Sequence, residues 1–464
     1  MNTPITSLNE SNGSPEQPSS LFVGSGSYPL REGNLVKTLH FSGPTFRRIC
    51  EAIENAEHSV WVTIAFADPQ FVMPDGRGTL FDVLDRAAER GLDVRVIFWR
   101  PDAVSANWGP TFSGTPDDRE LLMKRGAGFR IRWDRAHPEF CHHQKSWLID
   151  AGHSTEVGFI GGINLTFGLF ERGQAGDGHR HDTYLELQGP SATDIHHNFV
   201  QRWNETSERG EPDGRWANEI GDTLLFPSKV SEPRGTTLLQ IQRTIHAGRY
   251  TNGHPTPGGG RFDISAGERT ILEQYIHAIN FAKKVIYIEN QAFPIPQIVE
   301  HLDKALKRGV LILMLSNIEI EKSIKAPPAT PYGKNLTASI ATLRQHENFS
   351  LVGAASPNGR DSVYVHGKLM LVDDVWATIG SCNLHERSLL GHSEMNASIY
   401  DPNYVSTLRR ELLEAHLGCA TNDLTAVDAA MLYRQIARAN RTKRDAGDLD
   451  WQGLVFELDI SASA

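Results

Sequence analysis

Two short runs carry the densest chemistry in the chain: His143-Gln-Lys145 with Asp150, and His366-Gly-Lys368 with Asp373, both of the pattern HxKx4D. With 19 His, 13 Lys and 27 Asp in 464 residues, chance supplies about 0.03 such matches, so two are not accidental. His and Lys two apart in a β-strand project from one face, and KSWLID and KLMLVD both read as strands. Each strand therefore presents an imidazole beside an ammonium. The runs then turn, at Asp150-Ala-Gly or Asp373-Asp374, and return through VGFIGGIN or WATIGSCN. That places Asn164 or Asn383 just past a small-residue bend, where backbone N–H groups and the amide approach a ligand closely. Two histidines, two lysines and two asparagines suit a phosphodiester. Cationic and amide donors hold its anion, one imidazole attacks phosphorus, and the other protonates the departing alkoxide. An unperturbed imidazole pKa of ~6.5 makes both protonation states accessible near neutral pH. Asp182 in HRHDTYLEL and Glu394 in GHSEMNASI follow the two motifs at parallel places and are read as the carboxylates that orient the imidazoles.

Other polar residues near the motifs have plainer readings. Asp150 and Asp373 fall out of phase with the His/Lys face, at the turn, which predicts a structural role. His142, His196 and His197 have neighbours on opposite strand faces and no carboxylate spacing, so no metal site is expected. Glu289, Asn290 and Gln291 in IYIENQAF end a buried-looking strand at the sheet's carboxyl edge, a place that serves structure and site equally. Trp147 and Trp376 read as core aromatics.

The elements that position these groups repeat. FRRICEAIENAEHSVWVTIAF reads as an amphipathic helix and a strand, and LFDVLDRAAERGLDVRVIFW repeats that order with Gly91 at the helix end. The same order returns as ILEQYIHAINFAKKVIYIENQAF and IVEHLDKALKRGVLILMLSN, with Gly309 in the equivalent place. The glycines are 218 positions apart and the motif histidines 223, so the chain contains an internal α/β duplication. Residues 1–34 are rich in Ser, Pro, Asn and Gly and read as a flexible arm. A first domain is expected over 35–205, and a turn-rich junction over 206–263 with one strand-like island at TLLQIQRTI. A second domain over 264–425 and a C-terminal extension over 426–464 complete the division.

The duplicated HxKx4D followed by GGxN or GSxN resembles the signature of the phospholipase D superfamily, over roughly Lys37 to Gly418. HDTYLELQGPSATDIHHNFVQRWNE, IYIENQAF and ELLEAHLG are similar to its phospholipase branch rather than to its short nucleases. The resemblance implies an α/β fold of two duplicated phospholipase D-type α/β/α sandwich domains packed around one shared active site. It also implies no metal or other cofactor, a phosphohistidine intermediate, and release to water or an alcohol. Carried over residue by residue, His143 is the nucleophile, His366 the general acid and later base, and Lys145, Lys368, Asn164 and Asn383 the phosphate clamp. Two departures stand out. Ten residues separate Asp150 from Gly161 where the second copy has six, and Gly162 stands where the second copy has Ser381. The halves of the pocket are therefore not expected to be equivalent.

Composition bounds what this chemistry serves. A net charge of -10 supplies no cationic field for long nucleic acid or an anionic bilayer, so the grip on phosphate is local and nucleic acid is not an expected partner. Cys50, Cys141, Cys382 and Cys419 form no CxxC pair, which fits reduced thiols in a cytoplasmic protein. The polar N-terminus lacks the features of a secretory signal, and Val310 to Leu315 is far shorter than the ~20 residues of a membrane span. Contact with a membrane is expected to be peripheral and transient. The first expectation is a monomeric phospholipase D-type hydrolase of glycerophospholipids such as phosphatidylcholine, giving phosphatidic acid and the head-group alcohol. A phosphatidyltransferase of the cardiolipin synthase type ranks second, a nuclease third. A catalytically dead phosphate-binding module is the fourth reading, opposed by two complete motifs.

Overall fold

The helix Ser42–Glu54 buries Phe46, Ile49, Cys50 and Ile53 along one stripe, and the strand Ser59–Ile64 that follows is buried along its whole length. In the second half Thr270–Phe281 buries Ile271, Tyr275, Ala278 and Ile279 ahead of the wholly buried Val285–Asn290. The next helices, Leu80–Glu89 and Pro296–Lys307, are closed by Gly91 and Gly309 at φ 84° and 90°. Glycine reaches that left-handed region without steric cost. These are the two copies of one α/β phrase. The computed structural model describes residues 18–166, 180–210, 222–321, 331–356 and 361–460.

The strands assemble in a strictly duplicated order. From the seam outward the first half runs Arg31–His40, Thr183–Gln188, Val157–Gly161, Ser146–Ile149, Ser59–Ile64, Asp93–Trp99, Arg130–Asp134. The second runs Thr237–Ile245, Glu394–Tyr400, Trp376–Gly380, Lys368–Val372, Val285–Asn290, Leu311–Leu315, Phe349–Ala354, and adds Val455–Glu457 at its edge. Arg31–His40 pairs antiparallel with Thr237–Ile245, Asn34 lying opposite Thr237, and joins the halves into one sheet. Ser42–Glu54 and Leu80–Glu89 pack on the outer face of the first half. Ala192–Asn204, Pro402–Leu417 and Ala426–Asp445 lie on the other face, in a cluster shared by both halves. Each half is thus an α/β/α sandwich, as the resemblance implied.

The expected boundaries shift. Residues 18–34, read as part of a flexible arm, are packed: Leu21 and Phe22 join the core around Ile271 and Tyr275, and Leu21 O accepts from Gln274 Nε2 at 2.7 Å. A few apolar residues among many Ser and Gly suffice to dock this segment. The strand inside the expected junction is the second half's counterpart of Arg31–His40, so that half begins at Thr237 and not at 264. Residues 1–17 of the arm, 211–221 of the junction and 461–464 of the extension lie outside the described residues. Among the described residues no helix is long and apolar enough to cross a membrane.

The motif strands begin at Ser146 and Lys368, so His143 and His366 occupy the extended approach to each strand rather than the strand itself. Asp150 and Asp373 take φ 55° and 53° at the far turn. Asp150 Oδ1 accepts from the N–H groups of Glu57, His58 and Ser59 at 3.0, 2.7 and 3.1 Å. Asp373 accepts from Lys283, Lys284 and Val285 at 2.7, 2.9 and 2.7 Å. Each aspartate ties its hairpin to the start of the neighbouring strand. Asp373→Ala should therefore cost about 2 kcal/mol, since charge-assisted bonds are lost at a left-handed position, with turnover per folded molecule unchanged. Urea unfolding read beside activity checks this; lost turnover at an unchanged unfolding midpoint would place the residue in the chemistry instead.

Candidate active site

Each half delivers the same four groups to the line where the halves meet. An extended approach carries the histidine, the mouth of the strand the lysine, the end of the return hairpin the asparagine, and the start of a further strand the carboxylate. A cleft of about 410 Å³ opens there, lined by His143, Asn164, His366 and Asn383 among others. Lys145 and Lys368 are buried beside the imidazoles, Lys145 Nζ donating to His143 O at 2.7 Å and Lys368 Nζ to His366 O. The Oδ1 atoms of Asn164 and Asn383 are buried with no hydrogen-bond partner among the described residues. All eight residues singled out from the sequence converge, and Asp150 and Asp373 stand apart from them.

The carboxylates pair crosswise. Glu394 of the second half holds His143 Nδ1 at 3.0 Å, and Asp182 of the first half holds His366 Nδ1 at 2.5 Å. With Nδ1 so engaged, the Nε2 edge of each ring is left for a ligand. Electrostatics then separates the two rings. Burial pushes His143 well below the usual imidazole range, and the charges of Lys145 and Lys368 push it further. Its partner Glu394 is raised, again by burial first, against the opposing pull of His392 and Lys145. Burial would also raise Asp182, but His366 and Lys368 outweigh it and hold the carboxyl below its ordinary value. One pair is biased toward a neutral imidazole, the other toward an anion that stabilises imidazolium.

The Gly162/Ser381 difference has a steric cause. A Cβ on Gly162 would stand 2.5 Å from Asp182 Oδ1 and 3.0 Å from Lys368 Cδ. The longer Glu394 leaves room for Ser381, whose Oγ donates to Glu394 Oε2 at 2.5 Å. The longer first hairpin turns away from the cleft, with Thr155 Oγ1 donating to Asp150 at 2.7 Å.

Gln291, read from the sequence as serving structure and site equally, lines the cleft, whereas Tyr364, His385, Arg387 and His392 escaped that reading. Gln291 bridges Lys368 Nζ at 3.1 Å and the Tyr364 hydroxyl at 2.7 Å. His392 Nδ1 accepts from Cys141 N–H at 3.0 Å, and His385 Nδ1 from Ser388 N–H at 3.2 Å. Burial lowers both rings, His385 to about 4, which favours the neutral imidazole at the cleft wall. Arg387 lies over Trp108 at the rim, 4.9 Å from the ring centroid. Two of the signals were local: LHERS directly follows Asn383, and His392 stands two before Glu394.

A duplicated α/β fold that closes paired histidine, lysine and asparagine side chains on one cleft defines an enzyme acting on phosphodiesters. The chain belongs to the phospholipase D superfamily. A family model described as cardiolipin synthase, PLD-like domain, matches residues 49–203 and 275–415, one stretch per half, and a phospholipase D model matches 172–324. The chain is 24% identical to phospholipase D A of Dictyostelium discoideum over 83% of its own length and 34% of that protein's. It is 24% identical to phospholipase D alpha 2 of Oryza sativa subsp. japonica, over 79% of this chain and 61% of the relative. It thus spans between about a third and three-fifths of these relatives. The fold is shared with phosphatidylserine synthase of Haemophilus influenzae Rd KW20, at a TM-score of 0.57 and 14% identity, covering 88% of this chain and 94% of that one.

Two outcomes follow from the geometry. Gly162→Ser should displace Asp182 from His366 and lower kcat by roughly 10², because small misplacements of an acid–base group are costly. Turnover of a phosphodiester, beside circular dichroism, checks it; normal kcat would show that the pocket relaxes freely. Burial lowers Lys145 to about 8, so the cation is present below that pH and lost above it. Inhibition by tungstate, an oxyanion probe of constant charge here, should weaken as pH rises through about 8, and a flat profile to pH 10 would remove Lys145 from the anion's binding.

Proposed function

We propose that the chain is a phospholipase D-type phosphodiesterase that cleaves the distal phosphoester of a glycerophospholipid. The observation that carries this reading is the crosswise pairing, which leaves His143 biased to the neutral form and His366 beside an anionic Asp182. His143 Nε2 attacks phosphorus while Glu394 holds its Nδ1–H. Lys145, Lys368, Asn164 and Asn383 take the non-bridging oxygens. As the P–O bond breaks, His366 gives its Nε2 proton to the departing head-group alkoxide. His366, now neutral, then accepts a proton from water, whose oxygen attacks the phosphohistidine and releases phosphatidic acid and free His143. No step calls for a metal.

Transfer to an alcohol in place of water is the second reading, favoured by the cardiolipin synthase model that matches both halves. Both half-sites lie in one chain, so a monomer meeting the lipid surface transiently is the proposed working form. The net charge of -10 weighs against nucleic acid. The test incubates the protein with mixed phospholipids and EDTA, with and without ethanol, and reads products by mass spectrometry. Phosphatidic acid should form, shift to phosphatidylethanol with ethanol present, and fall by at least ~10³ in His143→Ala and His366→Ala. Turnover of another diester with no lipid product would keep the site and refute the substrate class.

A further inference from the structure

The crosswise carboxylates are themselves held across the seam. His366 N–H donates to His181 O at 2.8 Å, and His143 N–H donates to Ser393 O at 2.9 Å. His181 and Ser393 are the residues immediately before Asp182 and Glu394. Parallel pairing of Tyr364–Val365 with Arg180–His181, and of His142 with Ser393, makes each junction a two-stranded clamp. Each imidazole therefore has its backbone tied to the residue that precedes the opposing carboxylate.

The side chains that anchor the two clamps differ in charge. Ser393 Oγ lies 2.7 Å from His142 Nδ1, and His142 Nε2 accepts from Arg249 Nε at 3.1 Å. Burial keeps His142 neutral, lowering it to about 4. Asp134 Oδ2 also stands 3.0 Å from His142 Nε2, and His181 is held by a carboxylate of its own, its Nε2 lying 2.5 Å from Glu289 Oε2. Tyr287 OH donates to Glu289 Oε1 at 2.6 Å, and His416 Nε2 stands 3.9 Å from the same oxygen. His181, Glu289 and His416 are all buried. Burial opposes charge on both partners of the anchor, yet each outweighs it for the other: His181 is raised, and Glu289 is held down at about 2. The carboxylate also abuts the motif backbone, since a Cβ on Gly367 would lie 3.1 Å from Glu289 Oε2. By strand register Glu289 faces Leu369 as Thr63 faces Ser146, each opposite the residue after the motif lysine. Thr63 makes neutral bonds, with Ser146 Oγ at 2.7 Å and from Ser146 N–H at 3.1 Å. A carboxylate backs each clamp, Asp134 behind His142 and Glu289 behind His181, but only Glu289 also abuts the motif backbone among these contacts.

We propose that the buried Glu289–His181 ion pair is the positioning device of His366, fixing through the 181–182 backbone the carboxylate and the carbonyl that aim this ring. Glu289 and His181 touch no substrate; they act through Asp182 and His366. The inference rests on the acid role given to His366 in the proposed reaction. An acid matters when the leaving group is a poor one and little when it departs unprotonated. A misaimed His366 therefore has a signature that general loss of structure lacks.

The test measures first-turnover rates on phosphatidylcholine, whose choline alkoxide needs a proton, and on phosphatidyl-p-nitrophenol, whose phenolate does not. Glu289→Gln should slow the first by roughly 10² and the second by less than about threefold, the pattern also expected of Asp182→Asn. Glu289→Asp, which keeps the charge, should recover part of the phosphatidylcholine rate. Ser393→Ala, on the nucleophile's side, should slow both substrates alike. Equal loss on both substrates in Glu289→Gln and Glu289→Asp would overturn the proposal. So would one equivalent of zinc in the purified protein that departs in His416→Ala, because His181, Glu289 and His416 offer ligand atoms within 4.8 Å of one another. His366→Ala serves as the reference: if it too loses both substrates equally, the acid role and the proposed reaction fall, whereas a split there without one in Glu289→Gln defeats only the anchor.

Discussion

Everything chemical in this molecule depends on two buried imidazole–carboxylate contacts that run between its halves, His143 with Glu394 and His366 with Asp182. Because each contact is crosswise, neither half holds an oriented imidazole alone. The duplicated sheet is therefore more than a scaffold. The seam of Arg31–His40 with Thr237–Ile245 sets the distance over which these side chains meet. At the bends Gly161 and Gly380 let each return hairpin pass close to the strand that follows its half's carboxylate, and Gly162 leaves room for Lys368 of the other half.

Burying so many polar groups demands support, and the interior around the first histidine supplies it. Asp134, fully buried, pairs with Arg249, and Arg243 pairs with Glu268 at 3.0 Å. Gln144, between the motif His and Lys, takes donors from Asn198 at 3.0 Å and Arg202 at 3.1 Å. Removing one member of such a set strands a charge in low dielectric, typically at about 3–5 kcal/mol. The residues flanking the motif are thus constrained by satisfaction of buried donors and acceptors, apart from any contact with substrate.

Much of this was legible in the sequence, for physical reasons. The two His/Lys motifs, the asparagines past small-residue bends and the glycine-closed helices are local patterns, and local patterns survive in one dimension. The turn role of Asp150 and Asp373 followed from strand parity alone. Asp182 and Glu394 were identifiable by their parallel places, but the crosswise choice of partner was not, because spacing within a copy says nothing of which copy an imidazole faces. His385, His392, Tyr364 and Arg387 lie beside motif residues in sequence, but that proximity alone does not say which side chains face the cleft. Residues 18–34 were misread because Ser and Gly dominate the segment, while Leu21, Phe22 and Tyr28, which dock it, are too few to show a period. The strand Thr237–Ile245 was visible as an island but not as the seam, since its partner lies about 200 positions earlier.

The departures from symmetry have a genetic meaning. A dimer of two identical halves would place every substitution at the site twice, so that an advantage for the attacking ring would be imposed equally on the proton-donating one. A single reading frame carrying both copies is free of that restriction. Gly162 can lose the side chain that Ser381 keeps, Asp182 can be a methylene shorter than Glu394, and Glu289 can carry a charge where Thr63 has none. Inheritance in one chain is what allows two rings of common descent to hold different offices.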